Sequence, residues 1–117
     1  DKPDYLVALN NRGATKLETG NFNDAKKDFE DVLLKDPKNA SAFNNLASEA
    51  IKQKDYKKAK DMATKSIDLN AKNGPAYFNR GIARQMLHEE EGSCADWKKA
   101  LELGVSAAKS FMNTDCN

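Results

Sequence analysis

The chain of 117 residues is poor in the residues on which most catalytic and metal sites depend. It contains one histidine, two cysteines and three prolines, and its 19 Lys and Arg residues nearly balance 18 Asp and Glu residues. A net charge of +1 argues against an electrostatic nucleic-acid binder, which would show a basic excess. No apolar run reaches membrane-spanning length, and we find no signal peptide, so we expect no membrane insertion. Because the chain begins at Asp1, a removed leader or a trimmed chain stays open.

Motifs for common enzyme chemistries are also missing. The sequence has no phosphate-binding loop, no Cys-x-x-Cys pair and no nucleophile elbow. The single histidine, His88, precedes Glu89–Glu91, and a metal or hydrolase site there is an alternative. Adjacent loop acids are usually solvated, however, so we predict no metal, no cofactor and no catalysis.

Three short motifs return at a fixed interval, and each places an Asn two positions before a small residue. The pairs are Asn11 with Gly13, Asn45 with Ala47, and Asn79 with Gly81. A period of about 34 residues is typical of helix-turn-helix repeat arrays. The sequence therefore predicts an all-α fold, an α-solenoid in one domain (1–117). Its helix pairs should span about 6–39, 40–73 and 74–107, with a capping helix at about 105–117.

Turn residues separate the two helices of each unit. Gly20 suits the left-handed geometry that follows a helix, and Asn21 suits the N-cap of the next one. In the second unit Lys54-Asp55 takes these places. Pro37 cannot continue the second helix of the first unit. In the third unit we expect Glu89–Glu91 at a helix N-terminus, where the helix dipole favours negative charge.

The pattern resembles the tetratricopeptide repeat family over roughly residues 6–107. The matching residues are Gly13, Ala25, Phe29 and Pro37 in the first unit, Phe43, Leu46, Ala47, Tyr56 and Ala59 in the second, and Tyr77, Gly81, Trp97 and Ala100 in the third. Ala63 and Ser93 depart from the pattern, which should cost packing but not topology. The resemblance implies a solenoid whose first helices line a concave face that holds a peptide segment or a partner protein without catalysis.

Asn11, Asn45 and Asn79 form the candidate binding column. At about 100° per residue they lie about 200° from the core positions of their helices, which directs them towards the concave face. A carboxamide matches the N–H and C=O of a peptide bond, and the positions resemble the asparagine ladder of some superhelical tetratricopeptide and armadillo proteins. The alternative is that Asn is simply common in this chain and at this column of the family. The remaining predicted groove residues are Asn10, Asn44, Ser48, Ile51, Phe78, Ile82 and Met86.

The charge of this groove bears on its partner. Co-chaperone members of the family hold the C-terminal carboxylate of chaperones with Lys, Asn, Asn, Lys and Arg. The corresponding positions here are Asn10, Ala14, Asn45, Pro75 and Asn79. One of the five matches and every positive charge is missing, so we expect an uncharged or weakly apolar peptide and no carboxylate clamp. Self-association, or assembly with another part of a larger envelope protein, is the alternative function.

The positions of the two cysteines suggest a disulfide bond that would hold the capping helix in place. Cys94 lies ten residues before Gly104 and Cys116 lies twelve residues after it. If Gly104 turns the chain between antiparallel helices, with the last helix from Val105 to about Thr114, both cysteines lie about 15–18 Å from the turn and face each other. We hypothesise a Cys94–Cys116 disulfide; the alternative is two inert thiols in a reducing cytosol.

The sequence around Cys94 also resembles the last repeat of bacterial cell-envelope tetratricopeptide proteins. If the cysteines are bridged, we expect an oxidising compartment such as the bacterial periplasm. If they are not, a cytoplasmic location is the alternative.

Overall fold

The repeats are helix pairs in a computed structural model of the chain, which describes residues 3–112 and residue 116. Within these residues the helices are α1 Pro3–Glu18, α2 Phe22–Lys35, α3 Ala40–Lys52, α4 Tyr56–Leu69, α5 Gly74–Met86, α6 Glu90–Glu102 and the short α7 Ala108–Phe111. Consecutive helices pack together, and each first helix also contacts the next first helix, α1 with α3 and α3 with α5. The predicted all-α solenoid is confirmed. None of these described helices combines the length and apolar character that a membrane span requires.

The turn inside each helix pair uses the same left-handed backbone position. Gly20 has φ +87°, while Lys54 and His88, at the equivalent positions of the second and third units, both have φ +63°. Asp55 then caps α4, and its side chain accepts a hydrogen bond from a backbone N–H of the first turn at 3.2 Å. Glu89 occupies the N-cap of α6, and Glu90 follows in its first turn, as the sequence predicts. The three turns thus share one geometry although their residues differ.

Helix spacing inside each pair is set by a small residue and the residue that faces it. The facing positions are Gly13 and Phe29, Ala47 and Ala63, and Gly81 and Trp97. A Cβ atom on Gly13 would overlap the Phe29 ring, and one on Gly81 would overlap the Trp97 indole. Phe29 and Trp97 are almost completely buried, and so is Ala63. In the second pair Ala63 stands where the other pairs have an aromatic ring, and Ala47 stands where they have a glycine, so a residue smaller than the ring faces a residue larger than glycine. The close helix approach expected at the two glycines is confirmed.

An ion pair whose carboxylate is buried crosses the first and third helix pairs, and an apolar pair takes the same positions in the second. These pairs are Arg12–Asp28, Arg80–Asp96 and Leu46–Met62. Arg12 donates to both carboxylate oxygens of Asp28, at 3.0 and 2.8 Å, and Asp28 is 2% exposed. These hydrogen bonds hold the pKa of Asp28 below its ordinary value. A charge this buried is tolerated because its partner is in place.

The C-terminal segment differs from the predicted cap. Instead of a helix from Val105 to about Thr114, only Ala108–Phe111 is helical, and residues 113–115 and 117 lie outside the described residues. Met112 already has an extended backbone (φ −80°, ψ 118°), so the chain leaves the helical path there. Cys94 and Cys116 are nevertheless joined, with Cα atoms 5.2 Å apart, and the predicted pairing is confirmed. Up to Met112, the described chain therefore does not form the second straight helix that the sequence predicts.

Candidate functional site

An open groove of about 300 Å³ runs across the first helices of the three pairs. Its lining residues are Val7, Asn10, Asn11, Ser41, Asn44, Asn45, Asn73 and Pro75. None of these side chains carries a charge, and five of the eight are carboxamides. Asn10, Asn11, Asn44 and Asn45 were singled out from the sequence as groove residues, and the structure brings them together here.

Hydrogen bonds between neighbouring repeats orient the carboxamides. Asn45 Nδ2 donates to Asn10 Oδ1 at 3.4 Å, and Asn79 Nδ2 donates to Asn44 Oδ1 at 2.8 Å. Asn79 Nδ2 also donates to Ser48 Oγ at 3.0 Å. We call these contacts the inter-repeat rungs. Each rung uses the amide nitrogen of one column residue, so the column stabilises the stack of repeats. Asn11 and Asn45 also line the groove, whereas Asn79 and Ser48 are not among its lining residues.

The oxygens of the column are left available by this arrangement. Within the described residues, neither Asn45 Oδ1 nor Asn79 Oδ1 has a hydrogen-bond partner, and both side chains are half-buried. Asn11 is exposed, and its side chain makes no hydrogen bond to the described part of the chain. Because the rungs fix the amide planes, these oxygens can accept a hydrogen bond without first losing much side-chain entropy.

The apolar residues expected in the groove lie elsewhere. Phe78 and Ile82 pack on the C-terminal core cluster that contains Trp97 and Cys116. The Phe78 ring meets the Phe111 ring edge to face, with centroids 5.0 Å apart. The cause is register: Phe78 takes the position of Asn10 and Asn44, which faces the following repeat, and here the C-terminal segment fills that space.

The other two apolar candidates do not line the groove either. Ile51 packs against the small-residue cluster of Ala50, Ala59 and Ala83, whereas Met86 is 48% exposed near the turn at His88. We therefore leave Ile51, Phe78, Ile82 and Met86 out of the candidate site.

Sequence reasoning missed a second column. Val7, Ser41 and Pro75 line the groove and recur at the same interval as the repeats themselves. Each lies four residues, about one helical turn, before an Asn of the first column. That spacing could have revealed them, because residues at i and i+4 share a helix face.

The region around His88 forms a separate, shallow depression of about 450 Å³. It is lined by Arg84, His88, Glu89, Glu90, Glu91 and Gly92. Arg84 is paired with a neighbouring carboxylate: its Nη1 donates to Asp96 Oδ2 at 3.1 Å. In the described part of the chain, no three His, Cys, Asp or Glu side chains converge as metal ligands would.

The family model of the tetratricopeptide repeat matches residues 6–39 and 40–73, which is more than half of the chain. The chain belongs to the tetratricopeptide repeat family. The third helix pair is outside this match, yet its helices α5 and α6 pack as the earlier pairs do. The acidic turn and Ser93 are where its sequence departs most from the other two pairs.

Known relatives are longer proteins. RNA polymerase II-associated protein 3 of Xenopus tropicalis is 32% identical over 95 residues, which cover 81% of this chain and 14% of that protein. The mitochondrial import receptor subunit TOM70 of Homo sapiens is 26% identical over 108 residues, covering 92% and 16%. The chain thus spans about a seventh of the length of these relatives. Because they are animal proteins, the resemblance to bacterial cell-envelope repeats is not confirmed.

Solved structures share the fold. The first tetratricopeptide domain of Spaghetti (RPAP3), bound to the HSP90 peptide SRMEEVD, matches with a TM-score of 0.81 and 22% identity over 94% of each chain. PcrH in complex with the chaperone-binding region of PopB gives a TM-score of 0.84 and 17% identity over 96% of this chain and 98% of that one. The expectation that chaperone tails are poor partners finds no support here, because similar domains bind such a peptide. The chain is a protein-interaction scaffold, and nothing in these relatives indicates catalysis.

Proposed function

We propose that the chain captures an extended segment of a partner protein in the groove across α1, α3 and α5. The observation that carries this proposal is the charge-free lining of carboxamides, which includes Asn11 and Asn45 from a column that the sequence repeats at Asn79. An extended peptide presents alternating N–H and C=O groups, and an Asn side chain can accept from the first and donate to the second. Recognition of this kind depends on the backbone and is tolerant of ligand sequence.

Asn11, Asn45 and Asn79 have unequal roles in this mechanism. Asn45 donates one amide hydrogen to the inter-repeat rungs and Asn79 donates both of its own, so these two residues offer mainly their oxygens to a ligand. Asn11 has both its donor and its acceptor available, so it is the position where ligand binding can be tested without loosening the array. Val7, Ser41 and Pro75 form one wall beside the column and leave room for small side chains of the ligand.

A selection with randomised seven-residue peptides on phage tests the proposal. Enriched peptides are labelled, and their Kd values are measured by fluorescence anisotropy with the wild type, Asn11→Ala and Asn23→Ala. Asn23 is the matched control, because it is an exposed Asn at the start of α2, outside the groove. Loss of one or two hydrogen bonds should weaken binding to Asn11→Ala by about 5- to 30-fold, with the control unchanged. Equal affinities for all three proteins would remove backbone capture.

A second candidate is capture of an acidic chaperone tail, which the Spaghetti domain bound to SRMEEVD favours. In this chain an anion would be held by Asn amides alone, because the lining of the groove has no cation. The labelled SRMEEVD peptide, measured at two salt concentrations, tests this candidate. Binding that Asn11→Ala weakens supports it, whereas no binding at the concentration that saturates the selected peptides rejects it. Self-association remains the alternative to peptide capture, and concentration-dependent sedimentation would reveal it.

A further inference from the structure

A second cavity, of about 190 Å³, lies where α2 meets the second helix pair. Its polar lining side chains are Asn23 and Lys26 on α2, Glu49 and Gln53 at the end of α3, and Asp55 and Lys58 at the start of α4. None of these residues lines the groove described above. The cavity is smaller than the sites of about 300–1,000 Å³ that hold drug-sized molecules, so it suits only a small ligand.

Glu49 is the unusual residue of this cavity, because a buried carboxylate normally has a partner. It is 3% exposed, yet within the described residues its side chain makes no hydrogen bond and no ion pair. Its oxygens are not sealed off by protein, so they are reachable from the cavity. Asp55, the other acid of the lining, is already used as the N-cap of α4. The third repeat has the buried Ala83 at the position of Glu49, so the array itself does not require a carboxylate there. Glu49 is therefore open to a hydrogen-bond donor from outside the chain.

The other walls of the cavity carry positive charge and free donors. Lys26 and Lys58 are half-buried, and neither side chain makes an ion pair within the part of the chain that the structure describes. The N-cap of α2, Asn21, makes no side-chain cap hydrogen bond, which leaves backbone N–H groups of the first turn available to an anion. Asn23, from that first turn, lines the cavity. The cavity thus offers an acceptor for a cation at Glu49 and donors for an anion on the side of α2.

We propose that this cavity binds a small zwitterion with a primary ammonium group and a carboxylate, of which an α-amino acid is the simplest example. The ammonium group donates to Glu49, and the carboxylate accepts from Lys26 and from the first turn of α2. Two lysines and two acids line the cavity, so their charges cancel, and a ligand with both charges matches it better than a simple cation or anion. The site does not depend on peptide capture, because the cavity and the groove share no residue.

Four small probes test the proposal without any change to the protein. They are glycine, its two halves methylammonium and acetate, and glycine betaine, whose nitrogen carries no hydrogen. Each is titrated into the isotope-labelled chain, and the amide chemical shifts of Ala50 and Gln53 are followed by NMR. We expect saturable shifts with glycine and Kd values about tenfold higher or more for the other three probes. Equal Kd values for glycine and acetate would overturn the proposal, because the α2 side alone would then bind. No saturable shift with glycine would overturn it as well, since a lysine of the chain would then satisfy Glu49.

Matched substitutions test the two halves of the site separately. Glu49→Gln keeps the shape of the side chain and removes its charge, so it should raise the Kd of glycine about tenfold or more. Glu30→Gln, at an exposed position of α2 outside the cavity, should leave this Kd unchanged. Lys26→Gln and its exposed neighbour Lys27→Gln form the corresponding pair for the carboxylate.

Circular dichroism checks that each variant keeps its helix content. If Glu49→Gln does not fold, the four probes and the lysine pair still decide the question. An unchanged Kd in a folded Glu49→Gln variant, or equal Kd values for Lys26→Gln and Lys27→Gln, would refute the zwitterion site.

Discussion

Gly13→Ala is the substitution that best tests how the helix pairs are built. In an exposed helix, replacing Gly by Ala gains about 1 kcal/mol of stability. Here the new Cβ would overlap the ring of Phe29, which is completely buried. Overpacking of a core costs about 1–3 kcal/mol, so the two effects together predict a net loss of up to about 2 kcal/mol in the free energy of unfolding.

The sign of the effect should reverse when the ring is shortened. We expect Gly13→Ala to be neutral or stabilising in a Phe29→Leu background, with a coupling energy of about 2 kcal/mol between the two positions. Urea denaturation followed by circular dichroism at 222 nm, on the wild type, both single variants and the double variant, measures this coupling. If Gly13→Ala stabilised the wild type by as much as it stabilises Phe29→Leu, the contact with the ring would not set the helix spacing.

Three further predictions address pH, the rungs and the turns. Because the pKa of Asp28 is lowered in the folded state, its ionised form stabilises the fold above its ordinary value of 3.8, and this stabilisation is lost as the pH falls from there through the lowered pKa. In urea denaturation between pH 6 and 2.5, the free energy of unfolding should therefore fall more steeply for the wild type than for Asp28→Asn. Asn79→Ala removes both hydrogen bonds of a rung and should lower the free energy of unfolding by about 1–2 kcal/mol, whereas Asn11→Ala should change it by less than about 0.5 kcal/mol, and equal losses would contradict the rung. Lys54 has a left-handed backbone, which favours glycine, so Lys54→Gly should raise the free energy of unfolding by up to about 1 kcal/mol and raise the melting temperature with it. Lys57→Gly, in the regular first turn of α4, should lower both.

The parts of the fold that follow from local rules could be predicted from the sequence. The repeat period places Gly13 and Gly81 at equivalent positions, and the need for close helix approach gives both the same role. The cysteine pair was predicted for a simpler geometry than the one observed. Its prediction succeeded because Cys94 lies on the face of α6 that the segment after Gly104 must cover, whatever the path of that segment.

The composition of the groove was harder to predict, because it depends on how repeats rotate relative to one another. Phe78 shares a helix with Asn79, and helical periodicity alone cannot say which of two adjacent positions faces the groove and which faces the next repeat. The answer comes from long-range contacts: Asn79 reaches back to Asn44, whereas Phe78 meets Phe111 from the far end of the chain. No periodic rule connects Phe78 with Phe111.

These contacts act at two levels of the array. Changes within one helix pair can compensate each other locally, as when the Arg12–Asp28 ion pair gives way to Leu46 and Met62 in the next repeat. The rungs join different repeats, so a change at an acceptor position removes the hydrogen bond of the repeat that follows. Phe78 has lost the acceptor that Asn44 provides, and this is tolerated because the residue stacked on it is Phe111, which makes no such bond.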